Sequence, residues 1–141
     1  MTKLAMPKID RKLISKKVDV IANLKKIIKS ENILSHEDLT RPFETDALSA
    51  YKQKPMVVVF PENTKEVSKI LEYCNGARIK VVPRGAGTGL SGGALPLEDS
   101  ILLCLGKFNK IINIDYKNRC VVAQPGVTNL SITQAVQEKG F

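Results

Sequence analysis

Histidine, cysteine and long apolar runs are all scarce in this sequence, and each scarcity narrows what the chain can do. His36 is the only histidine, stands in a polar stretch, and reads as an ordinary surface residue. The three cysteines, Cys74, Cys104 and Cys120, are odd in number, widely spaced and without a C-x-x-C pair. That usage favours buried, reduced thiols over a metal or redox site. No run of about 18 apolar residues is present, so no membrane-spanning helix is expected. The N-terminus also lacks the apolar stretch and small-residue cleavage site of a secretory signal. A soluble chain is expected, cytoplasmic or peripheral to the inner face of the membrane.

What is present is an ordinary globular composition with an uneven charge. With 141 residues, 43% hydrophobic and 26% charged, the chain can build one domain, or part of one, around a real core. The formal charge of +8 suggests a nucleic-acid footprint until its position is examined. Residues 1–30 hold nine Lys and Arg against two Asp, a net +7, so the remaining 111 residues are nearly neutral. The lysines alternate with Ile14, Val18, Ile21, Leu24 and Ile28 at helical spacing, which favours the solvated face of an amphipathic helix over a nucleic-acid-binding leader.

Hydrophobic patterning divides the chain into three parts. Residues 1–31 read as a basic helical leader, with the helix over Ser15 to Ser30, and residues 32–55 as an irregular connection broken by Pro42 and Pro55. From residue 56 to 141 the pattern is regular. The apolar run Met56 to Phe60 reads as a buried strand ended by Pro61. Asn63 and Glu66 form a capping box ahead of a helix carrying Val67, Ile70, Leu71 and Cys74, which stops at Asn75-Gly76. Ile79 to Val82 then supplies a second strand, so a βαβ unit with parallel strands is expected. Further strands follow at Ile101 to Leu105, Ile111 to Asp115 and Cys120 to Gln124, the last two forming a hairpin about Tyr116-Lys117-Asn118-Arg119. Thr128 caps a final helix from Asn129 to Lys139, with Gly140 as its stop.

The densest signal lies directly after the second strand. Five of the nine glycines fall within Arg84-Gly85-Ala86-Gly87-Thr88-Gly89-Leu90-Ser91-Gly92-Gly93. Glycine costs entropy, so such density implies positive φ angles or close approach of another group to the backbone. Successive NH groups turned to one side make an anion-binding concavity, suited to a phosphate or pyrophosphate. Thr88 and Ser91 offer hydroxyls, and Arg84 either adds charge or pins the loop. Residues 87–92 formally satisfy G-x-G-x-x-G, but Gly93 and Pro96 stand where the required helix would open. A P-loop is excluded too, because no Lys-Ser or Lys-Thr pair follows. The cradle must work by loop backbone alone.

The string Val82 to Pro96, with Ala123-Gln124-Pro125-Gly126-Val127 downstream and Asp46 to Tyr51 upstream, resembles the vanillyl-alcohol oxidase, or PCMH-type, family of FAD-linked oxidoreductases. That family includes the FAD subunits of glycolate oxidase and the D-lactate dehydrogenases. The resemblance runs from about Asn32 to Phe141. It implies an α+β fold: the first lobe of a PCMH-type FAD-binding domain, truncated, with a βαβ unit, a glycine-rich loop and a hairpin. It implies that Arg84, Gly85, Ala86, Gly87, Thr88, Gly89, Leu90, Ser91, Gly92 and Gly93 contact the FAD pyrophosphate and that Pro125, Gly126 and Val127 flank the cofactor. Some relatives attach FAD through a histidine four residues after the loop arginine; Thr88 stands there, so non-covalent FAD is expected. The resemblance further implies hydride transfer from a 2-hydroxy acid such as glycolate or D-lactate, and iron-sulfur and accessory subunits as partners. The family's catalytic residues lie beyond this span, in the rest of the FAD domain and a substrate domain, which a separate chain could supply. The chain alone is therefore expected to be inactive, to hold FAD weakly or not at all, and to expose apolar surface on the strands Met56 to Phe60, Ile79 to Val82 and Ile101 to Leu105 wherever the absent lobe would have covered it. The competing reading is a non-catalytic nucleotide-binding or interaction module left by a split or decaying gene.

Overall fold

The computed structural model describes residues 7–141. Two short helices, α1 (Arg11–Ser15) and α2 (Lys17–Leu24), open the chain and are separated at Lys16. The expected helix from Ser15 to Ser30 is thus shorter, and it gives way to turns before β1 (Ile33–Leu34). A short helix, α3 (Glu37–Thr40), interrupts the otherwise irregular connection. Then come β2 (Val57–Val59), α4 (Thr64–Ala77), β3 (Lys80–Arg84), β4 (Ser100–Cys104), the hairpin β5 (Ile111–Asp115) and β6 (Cys120–Ala123), and α5 (Asn129–Val136).

The main sheet has the order β1-β2-β4-β3. β4 is parallel to both β2 and β3, with Ile101 opposite Val57 on one side and Val81 on the other. The expected βαβ unit is present, but its two strands are not neighbours, because β4 inserts between them. β1 adds an antiparallel edge, pairing Ile33 with Val59.

The continuous apolar run in β2 has a direct cause. Side chains alternate across a strand, so a strand covered on both faces needs apolar residues at every position. Val57 and Val59 join Ile101 and Leu103 on one face, where Val20, Leu24 and Ile28 from the N-terminal segment pack with Ile70 and Cys74 of α4. Val58, Leu102 and Cys104 lie on the other face, covered by Leu34, Phe43, Phe60 and Val82. This corrects the expectation that Met56 to Phe60 and Ile101 to Leu105 would expose apolar surface: Met56 through Val59 and Ile101 through Cys104 are buried, and Phe60, Val81, Val82 and Leu105 are half-buried. Residues 20–28 form part of the main core rather than lying apart from it.

Capping follows the sequence closely. Asn63 Oδ1 accepts from Glu66 N at 3.0 Å, while Glu66 Oε1 accepts from Asn63 Nδ2 at 2.9 Å and Oε2 accepts from Glu62 N at 2.7 Å. α4 runs two residues past Asn75 and ends at Arg78, which takes the left-handed conformation with φ 55° usually left to glycine. Thr128 caps α5 by accepting from Ser131 N at 3.1 Å, and Gly140 ends the last turn with φ 78°. Cys74 and Cys104 are buried as expected, whereas Cys120, on the hairpin, is exposed.

Candidate functional site

Three parallel strands end side by side, β2 at Val59, β4 at Cys104 and β3 at Arg84. Ligands of open parallel sheets bind beyond such carboxyl ends. The glycine loop leaves β3 at this end. The turn after β4 lies beside it, with Leu105 N donating to Arg84 O at 2.9 Å. Gly126 N donates to Phe108 O of the same turn at 2.7 Å. Both segments singled out in the sequence, Arg84 to Gly93 and Pro125 to Val127, therefore meet at one end of the sheet.

The loop glycines divide into two kinds. Gly87 and Gly92 have φ of 76° and 74°, which the fold itself requires. An added Cβ at Gly87 would also collide with the Arg84 guanidinium, lying 2.7 Å from Nε. Gly85, Gly89 and Gly93 differ: a Cβ on any of them would meet nothing within 4 Å. Packing within the chain makes no use of their missing side chains, so the open space is available to a group approaching the backbone from solvent. A side chain there would stand in that open space, which a pyrophosphate suits. Residues 85–97 contain no helix, so no helix N-terminus faces that space.

The side chains around the cradle are of two kinds as well. Ala86, Thr88, Leu90 and Ser91 are exposed, leaving both hydroxyls accessible. Arg84 turns inward instead, donating from Nη1 to Thr45 O at 2.7 Å with its guanidinium over the Phe43 ring at 5.7 Å. Pro125 is exposed, while Gly126 and Val127 are half-buried. Gly126 has a packing reason of its own: a Cβ there would lie 2.7, 2.8 and 2.9 Å from the carbonyl oxygens of Phe108, Leu105 and Gly106.

A polar cluster at the same end was not visible in the sequence. Asn32, almost fully buried, donates from Nδ2 to Glu62 Oε1 at 3.0 Å and accepts from Lys107 Nζ at 2.5 Å. Glu62 also takes Lys29 at 2.9 Å and Lys107 at 3.3 Å. Hydrogen bonds from Asn32, Lys29 and Lys107 hold its carboxyl down at about 2. The bonded pairs are separated by 30 to 75 positions, so no local pattern announces them. The two buried thiols offer no nucleophile at neutral pH, since burial pushes Cys74 and Cys104 up to about 11. His36 is exposed and far from the loop in sequence, and among the described residues no His, Cys, Asp and Glu gather as a metal site.

The cradle is an open ledge. The larger hollows lie elsewhere: about 540 Å³ beside Lys17, Thr40, Pro55 and Met56 near the amino end of β2, and about 550 Å³ beside Asp10, Val20, Tyr73 and Arg78. A smaller one of about 200 Å³ is lined by Ile114, Val121, Ile132 and Phe141 of the hairpin and α5. Among the described residues no helix is long and apolar enough to cross a membrane.

Comparison with known proteins bears on the same region. The chain is 43% identical over 132 residues to the glycolate oxidase subunit GlcD of Escherichia coli (strain K12), covering 94% of this chain and 25% of that protein. It is 33% identical over 121 residues to the mitochondrial D-2-hydroxyglutarate dehydrogenase of Arabidopsis thaliana, covering 86% and 22% respectively. The chain thus spans about a quarter of the length of the curated relatives it matches. In fold it is similar to 4-ethylphenol oxidase from Gulosibacter chungangensis, with a TM-score of 0.80 at 24% identity, over 96% of this chain and 27% of that one. The sequence profile described as "FAD binding domain" matches residues 55–141, a span that contains the sheet's three parallel strands, the glycine ledge and the hairpin. On that match the chain belongs to the FAD binding domain family, and its cofactor is FAD.

Proposed function

We propose that this chain is the pyrophosphate-gripping first lobe of a flavin-dependent 2-hydroxy-acid oxidoreductase. The observation that carries this reading is the set of three glycines, Gly85, Gly89 and Gly93, whose missing side chains serve no packing purpose at the carboxyl end of a parallel sheet. Loop NH groups and the exposed hydroxyls of Thr88 and Ser91 hold the pyrophosphate, while Pro125, Gly126 and Val127 flank the cofactor from the hairpin side. Bound FAD would supply the acceptor for a hydride. The chain's own contribution is to fix the cofactor's phosphate end; it contributes no catalytic residue. Thr88 offers no ring nitrogen for a covalent link, so the flavin stays exchangeable.

The similarity to a glycolate oxidase subunit and a D-2-hydroxyglutarate dehydrogenase supports a 2-hydroxy acid as the substrate of the whole protein. Electrons would leave through iron-sulfur and accessory subunits. Residues 56–141 form the cofactor lobe in this reading, residues 32–55 its connection and residues 1–31 its basic leader. The water-excluded site for hydride transfer needs walls this lobe does not have, so turnover of glycolate or D-lactate above a flavin blank is not expected from the chain alone.

The test is fluorescence titration of the chain with FAD. Gly89→Val has neither a positive φ nor a neighbour to disturb, so it should leave the fold intact and weaken FAD binding by about tenfold or more. Unchanged affinity would sink the cradle. Acid precipitation of loaded protein should release all the flavin, and flavin retained in the pellet would refute the non-covalent assignment.

A further inference from the structure

Arg84 is the one cation within residues 84–93, and its position is unexpected for a phosphate ligand. Its backbone opens the loop and its guanidinium reaches Thr45 O at 2.7 Å and Ala94 O, past the far end of the loop, at 3.5 Å. The middle of the loop rests on the same side chain, since Gly87 comes so close that a Cβ would overlap the guanidinium. Two further contacts tie the loop to the segment around Thr45. Ala47 N donates to Gly87 O at 2.9 Å, and the place of a Cβ on Gly92 is 3.7 Å from Leu48 Cδ2.

The same segment holds Asp46, about 95% buried, whose Oδ1 accepts from Leu48 N at 2.9 Å and whose Oδ2 has no hydrogen-bond partner. Asp46 follows directly on the carbonyl that takes the guanidinium. All of these anchor residues precede the matched span, which begins at residue 55.

We propose that Phe43 to Leu48 is a bracket for the cofactor loop and that Arg84 is a positioning residue within it. Resting on the reading of the loop as an FAD pyrophosphate cradle, this assigns Arg84 to shaping the ledge from beneath, and not to neutralising the phosphates. Asp46 shapes the bracket's turn through the bond its Oδ1 accepts from Leu48 N. The planar guanidinium is needed because it must lie over the Phe43 ring while Nη1 donates to Thr45 O, a stacking that an ammonium does poorly.

Amide hydrogen exchange on the chain without FAD tests the bracket directly. In Arg84→Gln the Ala47 and Leu48 amides should exchange about tenfold faster or more, while the amides of Val58 and Leu102 in the sheet keep their protection and report an intact fold. Unchanged exchange at Ala47 in Arg84→Gln overturns the proposal.

FAD titrations across a salt series supply the second arm. A bracket predicts that Arg84→Gln and Arg84→Lys weaken FAD alike and leave its salt dependence unchanged. A phosphate ligand predicts rescue by Lys and a flatter salt dependence in Gln, and either result overturns the proposal. If the wild-type chain and Gly89→Val show equal affinity, the cradle reading fails instead, and the exchange measurement still decides the bracket.

Discussion

The main sheet and the hairpin region are built on opposite terms. Among the described residues every buried apolar side chain lies between Val20 and Phe108, and from residue 109 to 141 none is buried. Ile112, Val122 and Leu130 are 65%, 52% and 65% exposed. Phe141 rests against Tyr116 and the Arg119 guanidinium at 5.8 and 5.9 Å and stays 51% exposed. A sheet covered on both faces carries its own stability, whereas a two-stranded hairpin with one short helix is marginal in water. The lesson is that the cofactor ledge hangs from the self-sufficient part, and the flanking segment Pro125 to Val127 belongs to the other.

The strongest way to break this comparison is deletion. Removing residues 1–30 takes Val20, Leu24 and Ile28 out of the core, at about 2–5 kcal/mol for each buried aliphatic lost. Against a total of roughly 5–15 kcal/mol, the cooperative thermal transition should disappear. Removing residues 128–141 should leave that transition in place. A folded protein after the first deletion would show that the basic segment is dispensable, as its charge alone suggests.

Point substitutions sharpen the contrast. Leu102→Ala in the sheet should cost about 2–5 kcal/mol in denaturant unfolding. Leu130→Ala on α5 should stay within about 0.5 kcal/mol. Between these lies Gly126→Ala at the join. Its Cβ would meet three carbonyl oxygens under 3.0 Å away, and such overpacking costs about 1–3 kcal/mol. Faster amide exchange at Val121 with little change at Val58 would place the damage on the hairpin side.

The smallest expected effect is a pH dependence at the sheet's carboxyl end. Glu62 is lowered from 4.5 to about 2 in the folded chain, so its contribution is fully present above about pH 4.5 and is lost as pH falls toward 2. Glu62→Gln should flatten that limb of the stability curve by lowering stability at neutral pH, while leaving stability near pH 2 nearly unchanged. An unaltered acid limb would mean that Lys29, Asn32 and Lys107 do not hold the carboxylate.

What the sequence made legible was local. The all-valine β2, the capping box at Asn63 and Glu66, the hairpin and the Thr128 cap each depend on neighbours a few residues away, and each is found where expected or within two residues of it. Non-local features were not legible. No periodicity reveals that β4 inserts between β2 and β3, or that Arg84 spends its guanidinium on a carbonyl 39 positions earlier. The amphipathic helix over Ser15 to Ser30 was overextended because apolar spacing continues through Ile27 and Ile28, although the backbone there has already turned. Among the glycines, abundance pointed to the ledge. Only the structure separates Gly87 and Gly92, fixed by backbone angle, from Gly85, Gly89 and Gly93, which are left open.

The strand order sets the sequence of events in folding. β4 is the centre of the sheet yet the last of its strands to be synthesised, and neither β2 nor β3 has a parallel partner until residues 100–104 arrive. The intervening residues 85–99, which include the glycine loop, form the closure that brings β4 home. Closing such a loop costs entropy before any strand contact repays it, which makes this step a slow one. The ledge is therefore shaped in the same event that completes the core, and an emerging chain cannot hold a cofactor ahead of its own folding.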